Sequence, residues 1–231
     1  MYTQAIEDYL RALYEIQCEQ NKVATTVLAE WLGVTPASAT GMIKKLANMG
    51  LAAYEPYQGV ILTEAGRQAA LQIIRHHRLI ELFLTEKLEM PWDQVHGEAH
   101  KIEHVLSEEM EDRIDAMLGH PTADPHGAPI PSREGDIPRS TRVSLTKLEV
   151  GQSAVIAEVS DRNSALLHYL GDLGLYPGVE VSMVAAAPFG GPLTVRVEGA
   201  EQSLGREAAG YVFVTDVSAG TREHVHGPAQ G

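Results

Sequence analysis

The stretch Val23–Thr63, VATTVLAEWLGVTPASATGMIKKLANMGLAAYEPYQGVILT, decides the fold. Thr25 or Thr26 can cap a short helix running through Trp31, and Gly33 stops it. Thr35 followed by Pro36 is a helix start, so a second helix is expected to run to about Met49 before Gly50. Two short helices joined by a glycine turn make a helix-turn-helix. The segment after Gly50 reads as two short strands around Gln58 and Gly59, a β-hairpin wing.

In such a pair the second helix enters the major groove with its N-terminal turns. Here those turns offer Thr35, Pro36, Ala37, Ser38 and Thr40, with Lys44 and Lys45 beyond. Small hydroxyl and methyl groups suit thymine methyls and phosphates, and the lysines suit backbone charge. These seven residues are the expected contacts to double-stranded DNA.

N-terminal to this reader, IEDYLRALYEI places Ile6, Leu10, Leu13 and Tyr14 at helical spacing, with Asp8 near the start of the helix. C-terminal to it, a long helix is expected from Thr63 or Glu64 through Leu88. A second long amphipathic helix is expected over WDQVHGEAHKIEHVLSEEMEDRIDAML, with Val95, Ile102, Val105, Leu106, Ile114 and Leu118 on its apolar side. Two helices this apolar need a partner surface, and a second copy of the chain is the economical one, since a two-fold dimer also duplicates the reader.

The two long helices carry the chemistry. Of the 10 histidines, those at 76, 77, 96, 100, 104, 120 and 126 fall in one segment, interleaved with glutamates. On a helix, His100, Glu103 and His104 share a face, His96 lies one turn earlier, and His77 and Glu81 form an i, i+4 pair. Imidazoles and carboxylates at that spacing suit a divalent transition-metal ion.

Residues 119–144 are rich in Pro and Gly without a period and read as loop and linker. Short Val-rich segments with turns follow, plus one short helix near Ser164 to Leu170, which reads as a small β-barrel of the SH3-like kind. The expected organisation is mainly α with small β. Residues 1–70 form a winged helix-turn-helix and 71–140 a helical metal-binding and dimerisation domain. Residues 141–218 form the SH3-like domain, and 219–231 a disordered tail containing His224 and His226.

Composition bounds the rest. The chain has 231 residues and 44% hydrophobic content, enough for a core. The N-terminus has neither the basic nor the apolar region of a leader, no apolar run is long enough to span a membrane, and the single cysteine, Cys18, forms no internal disulfide. These features suit a cytoplasmic protein. The net charge of −13 argues against nucleic acid until it is divided along the chain. Residues 1–70 hold five basic against seven acidic side chains, whereas residues 71–140 hold seven against fourteen. The excess lies where cations would bind. HExxH, GxSxG and a phosphate-cradling glycine loop are absent, which leaves a hydrolytic metalloenzyme as the weaker alternative and gives no support for a small organic substrate.

IEDYLRALYEI, TPASATGMIKKL, HHRLIELFL, VHGEAHKIEHVLSEEMEDRI, DPHGAPIP and DLGLYPGVEV, in this order and spacing, resemble the diphtheria toxin repressor family of metal-dependent transcriptional regulators. The resemblance implies a homodimer that binds a palindromic operator when loaded with metal and mainly represses metal-uptake genes. It further implies a C-terminal domain of the ferrous-iron-transport A type. Carried over by position, one metal site is Asp8, His100, Glu103 and His104. The other is His77, Glu81 and His96, with Asp161 as the candidate from the C-terminal domain. Asp124 is either a ligand or a turn residue before proline.

Iron-type members have Met at the position of Asp8 and Cys at that of His100. Short manganese-type members have Asp and Glu there, and another Glu at the position of Arg11. Two separated sites are therefore expected. Hard oxygen donors with two imidazoles favour Mn(II), with Fe(II) as the runner-up.

Overall fold

Thr35 opens the reading helix as its sequence implies: its hydroxyl accepts from the Ser38 amide and Pro36 occupies the first turn. The computed structural model describes residues 2–18, 20–55, 58–138 and 141–219. The chain divides into two compact units: Met1–Met90 with Val95–Asp124 and Pro129–Pro138, and Pro91–Gln94 with Pro125–Ala128 and Arg139–Gly231.

The first unit begins with α1 (Gln4–Gln17), α2 (Thr25–Trp31) and α3 (Pro36–Asn48), followed by β1 (Ala52–Glu55) and β2 (Gly59–Leu62). The two strands pair antiparallel with Ala52 opposite Leu62, forming the expected wing. Ala24, not Thr25 or Thr26, is the N-cap of α2, and no side chain caps it. Gly50, at φ +73°, adopts the left-handed conformation that ends α3, where a side chain would be strained. Leu10, Leu13, Leu28, Ile43, Leu46 and Val60 are fully buried and hold the reader together.

α4 (Glu64–Leu88) starts at the Thr63 cap, whose hydroxyl accepts from the Gly66 amide. Gly66 has to be glycine, because a Cβ there would lie 1.9 Å from the Leu51 carbonyl oxygen. The helix thus packs directly against backbone of the reader.

The second long helix does not form as one piece. α5 (Val95–Ile102) passes into a 3-10 turn at Glu103–Val105, Leu106 is extended, and α6 (Glu108–Met117) restarts at Ser107. The Ser107 hydroxyl accepts from the Met110 amide, and Glu108, Glu109 and Glu111 suit the positive end of the new helix. The interruption changes the faces: Val95, Leu106 and Ile114 are buried, whereas Val105 is 74% exposed and Ile102 is also exposed.

The stretch expected as a linker is irregular but not loose. Within the first unit, Ile130 donates its amide to Thr122 and is buried against the helices. Arg75 and Arg78 of α4 donate to the carbonyls of Pro131 and Pro129.

The second unit contains β3 (Val143–Ser144), β4 (Gln152–Val159), α7 (Ser164–Asp172), β5 (Glu180–Ala186), β6 (Leu193–Val197), β7 (Ala200–Leu204), α8 (Arg206–Ala209) and β8 (Val212–Ala219). Its six strands form one antiparallel sheet in the order β3-β8-β4-β5-β6-β7. Asn163 caps α7 by accepting from the Ala165 and Leu166 amides, and Leu167 and Leu170 bury its inner face. Ala219 still pairs with Gln152, so the last strand reaches one residue into the expected tail. The rest of that tail, including His224 and His226, lies outside the described residues. No helix among the described residues is long and apolar enough to cross a membrane.

Candidate metal centre

α1, α5 and the 3-10 turn bring Asp8, His100, Glu103 and His104 together, with one donor atom of each lying within 4.8 Å of all the others. Asp8 Oδ1 is 3.4 Å from His104 Nε2 and 3.8 Å from His100 Nε2. Glu103 Oε1 lies 2.8 Å from His100 Nδ1 and 3.3 Å from His104 Nε2. Asp8 Oδ1 and His104 Nε2 are both buried, and neither makes a hydrogen bond. A buried polar atom left unpaired costs roughly 1–3 kcal/mol. Two of them facing one space, beside a carboxylate and a second imidazole, fit a divalent cation bound by oxygen and nitrogen. Burial pushes the Asp8 carboxyl above its ordinary pKa, against the opposing pull of His100 and His104. A cation here would favour its ionised form.

His77 and Glu81 on α4 meet His96 on α5. His77 Nε2 is 2.8 Å from Glu81 Oε1 and 3.1 Å from His96 Nδ1, which is itself 3.0 Å from Glu81 Oε1. His77 and Glu81 are essentially inaccessible to solvent. Three donor atoms so close form a second candidate cation site. Asp161 lies in the second unit, between β4 and α7.

The two candidate groups share no residue, but one hydrogen bond links them. Glu103 turns Oε2 toward His77 Nδ1, at 2.5 Å, while Oε1 faces the first centre. Arg11 Nη1 also lies 3.5 Å from that oxygen, and its Nε donates to Glu15. Burial works against the Glu103 carboxylate, but the hydrogen bond and charge of His77, with Arg11 and His100, hold its pKa below the ordinary value.

Sequence reasoning missed Glu7. This residue is buried and stands 2.6 Å from His104 Nδ1. The signal was present: Glu7 falls with Leu10, Leu13 and Tyr14 on one face of α1, where a carboxylate needs a partner. Among the other clustered histidines, His76 pairs with Glu111, His120 with Asp115, and His126 donates to the Trp92 carbonyl. Asp124 faces Arg78 at 3.6 Å within the first unit.

On the reader, Thr35, Pro36, Ala37, Ser38, Lys44 and Lys45 are exposed and Thr40 is half-buried. The Thr40 hydroxyl donates to the Pro36 carbonyl, so its methyl is the group left for a partner. A groove of about 510 Å³, which the sequence did not reveal, is lined by Lys22, Thr25, Thr26, Lys44, Tyr54 and Gln58.

Comparison with known proteins gives three family matches. Residues 1–60 match the N-terminal DNA-binding domain of iron-dependent repressors, 63–132 their metal-binding and dimerisation domain, and 143–216 the FeoA domain. The chain is similar to the iron-dependent repressor IdeR of Mycobacterium tuberculosis, 31% identical over 91% of this chain and 96% of that protein. It also resembles the diphtheria toxin repressor of Corynebacterium jeikeium, 33% identical over 60% of this chain and 59% of that protein. A solved manganese-dependent transcriptional repressor in complex with manganese superposes with a TM-score of 0.84 and 38% identity, over 90% of this chain and 98% of the other.

Proposed function

This chain belongs to the diphtheria toxin repressor family of metal-dependent, DNA-binding transcriptional regulators, and from that premise we propose that it is a Mn(II)-responsive repressor of metal-uptake genes. It acts as a homodimer on a DNA operator. Asp8, His100, Glu103 and His104 hold the activating ion, Mn(II) in the first place and Fe(II) in the second. His77, Glu81 and His96 hold a further ion, with Asp161 carried over to them from the family resemblance. Thr35 to Ser38 and Thr40 face base edges and sugars, and Lys44 and Lys45 face phosphates. Exposed apolar side chains of the helical layer, Ile102, Val105 and Met117, are assigned to the dimer contact.

The observation that carries this reading is that Asp8 Oδ1 and His104 Nε2, on two different elements, are both buried without a hydrogen-bond partner. When bound, the ion supplies the positive charge that lets two carboxylates stand beside two imidazoles. Asp8 belongs to α1, whose Leu10 and Leu13 are buried in the same core as Ile43 and Leu46 of α3. Glu103 and His104 belong to the turn that follows α5. Closing that gap holds the reading helix at one distance from the dimerisation helices, and therefore from its two-fold mate. Preferential closure of the DNA-competent state is enough, and allosteric coupling is typically about 1–3 kcal/mol.

The test is an anaerobic titration of operator binding with Mn(II), Fe(II) and Zn(II), in the parent and in His104→Ala. Mn(II) is expected to activate the parent at micromolar or lower free ion, and the variant is expected to need far more. Equal activation of both would remove His104, and the clamp with it.

A further inference from the structure

Glu7 and Asp8, consecutive on α1, stand on opposite sides of one imidazole ring. Glu7 Oε2 is 2.6 Å from His104 Nδ1, and Asp8 Oδ1 is 3.4 Å from His104 Nε2. Successive side chains on a helix point about 100° apart, and the His104 ring lies between these two and meets both. From this geometry we infer that Glu7 is a positioning residue that sets the tautomer of His104, leaving the Nε2 lone pair aimed at Asp8 and Glu103. The inference rests on the reading of His104 as a metal ligand.

A carboxylate only accepts hydrogen bonds, so His104 Nδ1 must carry the proton that lies between them, and in a neutral imidazole the other nitrogen is then the acceptor. The opposite tautomer would set a nitrogen lone pair against a carboxylate oxygen at that distance. Water cannot relieve the opposition, because the His104 and Glu7 side chains are only 9% and 11% exposed. Nε2, by contrast, is buried and has no hydrogen-bond partner. Ring orientation and ligand basicity at metal sites are commonly set by such an outer carboxylate, and its loss weakens metal binding by about 10- to 100-fold. Glu7 also ties α1 directly to the 3-10 turn.

The experiment uses the full chain. In the metal-free protein at about pH 8.5, where an ordinary imidazole is neutral, long-range proton–nitrogen correlation spectra report which ring nitrogen of His104 is protonated. Nδ1 is expected in the parent and in Glu7→Gln, whose amide oxygen still accepts. Glu7→Leu is expected to shift the proton to Nε2 or mix the two forms. Mn(II) affinity, measured by calorimetry, should fall about 10- to 100-fold in Glu7→Leu and by a smaller factor in Glu7→Gln.

Should Glu7→Leu keep both the Nδ1 proton and the parent affinity while His104→Ala loses Mn(II), Glu7 has no positioning role and the inference is overturned, with the ligand reading intact. Unchanged Mn(II) binding in His104→Ala overturns the ligand reading itself, and the inference with it. If Glu7→Leu does not fold, the parent spectrum decides: an Nε2 proton there overturns the inference.

Discussion

Glu103 Oε2 accepts a hydrogen bond from His77 Nδ1 at 2.5 Å, which joins the two groups of candidate metal ligands through one carboxylate. His77 therefore offers Nε2 to its own group and, from the other side of the ring, orients Glu103 of the other group. His77→Ala removes both roles, whereas Glu81→Ala removes only a member of the second group. His77→Ala is expected to raise the Mn(II) concentration for half-maximal operator binding about tenfold or more, and Glu81→Ala by clearly less. Operator binding at saturating Mn(II) should remain in both. Anisotropy of a labelled operator during Mn(II) titration measures the difference, and identical shifts in the two variants would show that the link carries no energy.

Lys44 and Lys45 are exposed on α3, four and five residues beyond Thr40 on the same helix. Replacement of both by Ala is expected to weaken binding to operator and to unrelated DNA by similar factors. The logarithmic salt dependence should flatten by about one unit for each phosphate that is no longer neutralised. An unchanged slope in the double variant would remove this face of α3 from the interface.

Asp8 is a hard oxygen donor and the first group contains no sulfur ligand. Asp8→Met, which introduces a thioether, is expected to impair activation by Mn(II) more than by Fe(II), because softer donors suit the later metals better. Operator titrations with each ion under anaerobic conditions measure the ratio. A Met variant that answers to Mn(II) as the parent does would end both the assignment of Asp8 and the argument from hardness.

Glu111 on α6 holds two residues of α4, with Arg75 Nε at 2.6 Å and His76 Nε2 at 2.7 Å. Burial raises the Glu111 pKa, but hydrogen bonds and charge from His76 and Arg75 outweigh it and hold the carboxyl below the ordinary value of 4.5. A pKa lower in the folded than in the unfolded chain means that ionisation favours folding. That stabilisation is complete above about pH 4.5 and is lost as pH falls through the folded value. Glu111→Gln should cost roughly 2 kcal/mol at neutral pH, less than for an isolated buried pair because Arg75 keeps Asp115 and the Pro131 carbonyl. Denaturant melts across pH 3 to 7 provide the check, and an acid limb as steep in the variant as in the parent would contradict it.

Much of the first unit was legible because its signals are local. Thr35 and Pro36 start α3, Gly50 ends it, and Thr63 starts α4, since a cap or a left-handed turn depends on residues within one helical turn. The potential ligands were legible for the same reason: His77 with Glu81, and His100 with Glu103 and His104, are spaced by a turn, and the resemblance added Asp8. Periodicity failed at Leu106, because a 3.6-residue repeat of apolar side chains continues through a break in the backbone, while the Ser107 cap that makes the break belongs to the next helix. Tertiary structure alone decided which atoms meet. Glu7 meets His104, 97 residues away, and Glu103 meets His77 across 26 residues. No local rule relates such positions; only the packing of α1, α4 and the 3-10 turn after α5 brings them within hydrogen-bonding distance, because their separation depends on how these elements pack and not on the order of residues along any one of them.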